Sequence, residues 1–430
     1  MKLTGHSNTT SAPFYMEYPL LTALGLSMGP ALSIGLGRFS YALFLPMMRE
    51  DLHWSYFIAG LMNTGNAIGY LIGALSMAWL IKRFSVAQVF VAGGLIGNLF
   101  MALSGFFTDP TYFFICRLLI GIANTFVFAG GSVLAAQFTN LHPKQAGWLM
   151  GIYYAGGGLG IIIPSFLVPE MVQTGQTLDW AHPWQLAWYA LAAICCLCLA
   201  LMWFPAHNIP AVPPRTTASG KTSVRRYGYM VSAYVLFGMG YIGYMTFVIA
   251  LLTQLGLTGT RLNIFYALLG MGVLASSRLW ARALDRFKGG ETLAIITLLM
   301  GVACLIPALI SMLTQTTAHE PGWLITSTIY LSGMVFGSGV FAAVATTTVF
   351  VRNNLPQSQW VAGIAVFTSL FAVGQVVGPT LVGWVSDGPG GLSRGFVLSA
   401  GILLLCAVLS LLQKPLVQSS IQVSSQTEKN

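Results

Sequence analysis

Three arginines stand inside long apolar runs of this 430-residue chain: Arg38 in "SIGLGRFSYALFLPMM", Arg117 in "FFICRLLIGIANTF" and Arg278 in "VLASSRLWARALDRF". None of the eleven Asp and Glu, and none of the six His, falls in the middle of such a run. General acid–base chemistry, nucleophile activation and metal ligation draw on those missing residue types. The six cysteines lie within apolar runs without metal-ligand or disulfide-framework spacing. What remains is the guanidinium, whose planar fork offers two parallel charge-assisted bonds to a carboxylate or phosphate. The pattern predicts anion recognition, with no enzymatic activity, no cofactor and no metal.

The elements that carry these arginines are set by composition. The chain is 56% hydrophobic and 7% charged, against about 25% charged for soluble domains, so its outer surface must be lipid. The net charge of +9 does not point to nucleic acid, because the basic residues are scattered through short loops and do not form one patch. Twelve runs are long enough to span a bilayer: 20–48, 57–81, 86–107, 111–138, 146–169, 184–206, 228–254, 261–283, 291–312, 322–348, 360–385 and 392–412. The first is too long for the apolar core of a signal peptide. With both termini placed in the cytoplasm, 14 of the 20 Lys and Arg fall in cytoplasmic segments, 3 in outer loops and 3 within spans, which is the asymmetry of the positive-inside rule.

The segment "HNIPAVPPRTTASGKTSVRR", residues 207–226, is the longest polar interruption and divides the spans six and six. The expected organisation is a tail (1–19), a six-helix bundle (20–206), a cytoplasmic linker (207–226), a second bundle (227–413) and a tail (414–430). The halves echo each other. Aligning Lys82-Arg83-Phe84 with Asp285-Arg286-Phe287 lays Gly69 on Gly272, and "GGGLGIIIP" in the fifth run parallels "GQVVGP" in the eleventh. Parallel repeats of six spans organise one large class of secondary transporters.

These features together resemble the Major Facilitator Superfamily (MFS), and more narrowly its bacterial YbfB/YjiJ-type branch. The resemblance rests on Gly35, Gly37, Arg38, Phe39, Tyr41, Leu45, Pro46 and Met48 in the first helix. Asn66, Gly69, Tyr70, Gly73 and Ala74 in the second carry it further, with the weaker Arg117–Gly121 pair in the fourth. It implies an all-α integral membrane protein of twelve helices in two bundles, moving a small solute by alternating access in the bacterial inner membrane, as a functional monomer. The loop after the second helix lacks the family's usual Asp, whereas Asp285 and Arg286 keep the matching loop of the second half; Lys82, Arg83, Asp285 and Arg286 are the expected gating residues. Pro164 follows Ile163 where antiporter-type relatives carry glycine before the proline.

Arg38 lies about 15 Å from the outer end of its helix, counted over about ten residues, too deep to snorkel. The candidate substrate residues are Arg38, Tyr41, Arg117, Asn124 and Tyr241, the last because family helix-seven patterns place a Tyr near the cavity. Arg117, Gly121, Asn124 and Thr125 share one helical face. The rival for each arginine is structural: binding of helix carbonyls or amide side chains. Gly37 and Asn124 stand where organic-anion symporters often carry acids, which argues against coupling through a protein carboxylate. The function expected is transport of a small organic anion or amphiphilic metabolite; the alternative is a drug or metabolite efflux antiporter.

Overall fold

The computed structural model describes residues 13–210, 224–314 and 321–416. Most of the expected linker and most of both tails lie outside the described residues. Twelve helices cross the membrane: α1 (Pro19–Asp51), α2 (Tyr56–Leu80), α3 (Val86–Ser104), α4 (Pro110–Asn140), α5 (Ala146–Thr177), α6 (Trp184–Asn208), α7 (Gly228–Gln254), α8 (Gly259–Leu279), α9 (Glu291–Leu313), α10 (Trp323–Asn354), α11 (Trp360–Ser386) and α12 (Gly391–Leu412). Leu75, Leu99, Leu331 and Trp384 are exposed on the outer faces, a surface suited to acyl chains.

Local chemistry fixes where the helices begin. The Ser55 hydroxyl caps α2 by accepting from the Ile58 N–H. Ser85 and Gln88 form a reciprocal capping box on α3. Asp109 caps α4, with Pro110 at the first helical position. α5 runs eight residues past the expected end at 169, because Pro164 and Pro169 are both absorbed inside the helix, as membrane helices allow when neighbours satisfy the freed backbone. α8 breaks at Trp280 and resumes as a short helix, Ala281–Arg286.

The two halves use the same joints. In the first half, α2 and α4 cross where Gly69 faces the Leu118 carbonyl and Gly121 faces the Asn66 carbonyl; in the second, Gly272 faces Met334 O and Gly337 faces Leu269 O. Likewise Gly156 and Gly160 of α5 lie against the Ser27 and Ala31 carbonyls of α1, and Gly374 and Gly378 of α11 against Val235 and Met239 of α7. A side chain at any of these positions would collide with backbone. The echoes in the sequence are therefore repeated close-packing contacts of small residues.

At one end of the molecule Phe14 stands edge-on to Phe204, with ring centroids 4.9 Å apart. At the same end the Met230 N–H donates to Gln413 Oε1 at 3.3 Å. This terminal end carries Lys82, Arg83, Lys144, Arg282 and Arg352, whereas the far end carries Arg49, Arg261 and Arg394.

Candidate substrate site

The site begins with a distortion of α1. Residues Ala31–Phe39, just after Pro30, form a π-helical segment, and the Ser40 N–H reaches back five residues to Gly35 O at 3.0 Å. Two glycines let the widened turn fit. A Cβ on Gly35 would strike the Gly160 backbone, and one on Gly37 would lie 2.6 Å from the Asn124 amide. Four successive carbonyls in this turn accept side-chain donors. Ser40 Oγ donates to Leu36 O, Arg117 Nη1 to Gly37 O at 3.0 Å, Arg117 Nη2 to Arg38 O at 3.5 Å, and Tyr266 OH to Phe39 O at 2.6 Å.

The two deep arginines therefore differ. Arg117 is fully buried, donates to those carbonyls and to Asn63 Oδ1 at 3.4 Å, and lies over the Tyr41 ring at 4.8 Å. Arg38 is 3% exposed, yet its Nε and Nη2 have no hydrogen-bond partner. Its neighbour is the Tyr70 ring, 5.5 Å away. The structural rival considered for both arginines, binding of helix carbonyls, describes Arg117 and not Arg38. Arg38 also lies thirteen residues from the end of α1, because the helix continues to Asp51. Its depth is thus about 20 Å and not 15 Å.

The remaining expected residues divide. The Tyr41 hydroxyl donates to Ala59 O at 2.9 Å, and Asn124 wedges beside Gly37 and Gly97. Both pack within their own half, and the buried Asn124 Nδ2 has no hydrogen-bond partner. Tyr241 lies in the second half, buried on α7. The Tyr241 hydroxyl accepts from Gln375 Nε2, and the other end of that buried amide has no partner. The Tyr241 ring stacks on Phe237 at 4.9 Å and on Phe371 at 5.7 Å. Tyr70, Tyr154 and Gln375 were not among the expected site residues. A tyrosine in an apolar run reads as core, and only Tyr70 carried a signal, by standing in the second-helix motif.

Tyr154 lines a cavity of about 330 Å³ between the halves. Phe128 and Tyr154 face Phe341, Leu274 and Val344 across it, with the Tyr154 and Phe341 centroids 6.5 Å apart. The cavity lies toward the terminal end, since Leu284 and Val349 line it.

The far end is closed. The Asp387 carboxylate at the end of α11 accepts from the Tyr56 and Phe57 N–H groups at the start of α2, at 2.7 and 2.8 Å. Gln254 Nε2 donates to the Tyr56 hydroxyl at 2.6 Å, and Arg49 lies over the same ring at 3.9 Å. Deeper, Asn63 Nδ2 donates to Thr246 Oγ1 at 2.6 Å, and Thr64 Oγ1 donates to Val376 O at 2.9 Å. All of these bonds except the Arg49 contact cross from one half to the other.

The expected gating residues lie at the terminal end. Arg83 stacks on Trp79 at 4.4 Å beside Lys82, and Arg286 lies over Phe287 at 5.6 Å, one residue from Asp285. Arg278 crosses to the Trp148 ring of the first half at 4.9 Å. Among the described residues the one salt bridge joins His182 to Asp51, at the far end.

Residues 30–411 match the profile of the family described as "Uncharacterised MFS-type transporter YbfB". The chain is 25% identical over 425 residues to "Inner membrane transport protein YdhP" of Escherichia coli (strain K12), covering 93% of this chain and 97% of that protein. It is 22% identical over 392 residues to a "Putative tartrate transporter" of Agrobacterium vitis, covering 85% of this chain and 86% of that protein. The crystal structure of the nucleoside transporter NupG superposes with a TM-score of 0.68 at 15% identity, over 93% of this chain and 98% of that one; this likeness is one of fold.

Proposed function

Because the chain belongs to the YbfB-type family of MFS transporters, a non-enzymatic class of multi-pass inner-membrane proteins, we propose that it carries a small organic anion by alternating access. The observation that carries the reading is Arg38: a guanidinium buried at mid-helix, without a hydrogen-bond partner on Nε and Nη2. A central arginine costs about 2.5–3.5 kcal/mol on insertion scales, and an anionic solute supplies the missing counter-charge. Arg117 holds the distorted turn that presents Arg38, with the Tyr41 ring under its guanidinium and Asn124 packed against Gly37; Tyr241 is the proposed contact from the second half.

The moving units are 20–206 and 227–413, joined by 207–226. The terminal end, with its excess of Lys and Arg, is cytoplasmic, and the conformation described here is closed to the outside. One chain contains a whole site and works as a monomer. With no carboxylate beside Arg38, the carrier acts as an exchanger, a facilitator, or a symporter whose solute brings its own proton. Efflux of cationic drugs fits poorly with a lone buried arginine.

The test is uptake of radiolabelled organic acids into proteoliposomes preloaded with the same unlabelled acid. Wild-type protein exchanges label, and Arg38→Met loses at least about tenfold of the rate. Exchange by Arg38→Met at the wild-type rate contradicts the reading.

A further inference from the structure

We infer that the solute is an amphiphilic monocarboxylate with an aromatic or similarly flat apolar body; the inference rests on the anion reading above and narrows it. Two observations carry it. The first is the supply of charge at depth. Of the two central arginines, Arg117 is engaged by Gly37 O, Arg38 O and Asn63 Oδ1, leaving Arg38 to answer an external charge. One guanidinium fork matches one carboxylate.

The second is the apolar cavity between the halves, lined by Phe128 and Tyr154 of the first half and by Phe341, Leu274 and Val344 of the second; on the Arg38 side the nearest ring is that of Tyr70, 5.5 Å from Arg38 Cζ. Among the described residues no charged side chain lines that cavity; its side-chain polar groups are the hydroxyls of Tyr154, Ser276, Ser277 and Thr348, and Ser276 Oγ already accepts from the Ala342 N–H. A second carboxylate would enter an apolar space without a partner, which costs several kcal/mol. A ring system is favoured there, because burying apolar surface contributes about 25 cal/mol per Å² and aromatic pairs add about 0.5–1.5 kcal/mol. An apolar cavity of about 150 Å³ holds a benzene ring. The cavity of about 330 Å³ has room for a ring with a short side chain. The carboxylate head of such a solute is assigned to the unpartnered Nε and Nη2 of Arg38. A small polyhydroxy diacid matches neither the single cation nor the apolar lining.

The test uses purified protein in detergent and reads the ligand-induced rise in melting temperature with trans-cinnamate, its uncharged amide, tartrate and acetate. Wild type is expected to bind cinnamate at least about tenfold more tightly than cinnamamide, tartrate or acetate, and Arg38→Met to lose cinnamate binding. Two variants approach the cavity from opposite directions. Phe341→Ala removes a facing ring and Val344→Phe fills the space; each weakens cinnamate about tenfold or more while acetate binding stays as in wild type. Arg38-dependent binding of tartrate tighter than that of cinnamate overturns the substrate class and leaves the anion reading standing. Binding of these acids that is indifferent to Arg38, or absent altogether, overturns both.

Discussion

Arg117→Ala is expected to destabilise the folded protein by about 2–4 kcal/mol, although it removes a buried charge. The substitution leaves the Gly37 and Arg38 carbonyls and Asn63 Oδ1 without the donor each now has. A buried acceptor left unsatisfied costs about 1–3 kcal/mol. The cation–π contact with Tyr41 is lost as well, worth about 0.5–2 kcal/mol. Against this stands relief of the insertion cost of one arginine, about 2.5–3.5 kcal/mol. Three lost acceptors and a ring contact outweigh it. Arg117→Lys is expected to recover only part of the loss, since an ammonium lacks the fork that bridges Gly37 O and Arg38 O. Unfolding in mixed micelles measures both variants; wild-type stability of Arg117→Ala would show that the carbonyls of the widened turn need no donor.

The second large effect concerns the balance between conformations. Asp387→Ala removes two charge-assisted bonds that tie α11 to the first two N–H groups of α2. Those groups are orphan donors at a helix start, where the helix dipole also favours a negative charge. Such bonds contribute about 1.5–3 kcal/mol when sheltered, and less at this exposed rim. A loss of about 1.4 kcal/mol shifts the ratio of far-end-closed to far-end-open molecules tenfold. Thr64, Asn63 and Gln254 retain their own cross-half bonds, so the fold survives while the equilibrium moves. Spin-label distances between the far-end loops of the two halves are expected to gain a longer population in Asp387→Ala. Unchanged distributions would show that the carboxylate does not hold this end shut.

Twelve spans and their ends at 254 and 412 were legible because long apolar runs bounded by polar loops leave few other folds in lipid. The end of α5 was not, since Pro164, Pro169 and Glu170 mark a stop in sequence, while in the bundle the helix continues to Thr177. The crowded glycines were legible as packing and as repeats, because a residue without a side chain every fourth position has one use between helices. The different states of Arg38 and Arg117 were not. Both sit among the same residue types, and the partners that distinguish them are backbone carbonyls opened by a π-helical turn, which no residue type announces. Tyr241 was named from the family pattern alone. Tyr70 lies near Arg38 and Tyr154 lines the cavity only because α2 and α5 turn those faces inward.

On the anion reading, Arg38 is held at a cost to stability for the sake of an anion, and Arg117 for the sake of the fold. Replacing Arg38 by methionine tests it in one sample, by melting the purified variant with and without a transported organic anion. Ligand-free Arg38→Met is expected to melt above wild type, by about 1–2 kcal/mol once the lost contact with Tyr70 is set against the insertion cost, and the anion is expected no longer to stabilise it. A variant that melts well below wild type and is still stabilised by the anion would overturn this role of Arg38.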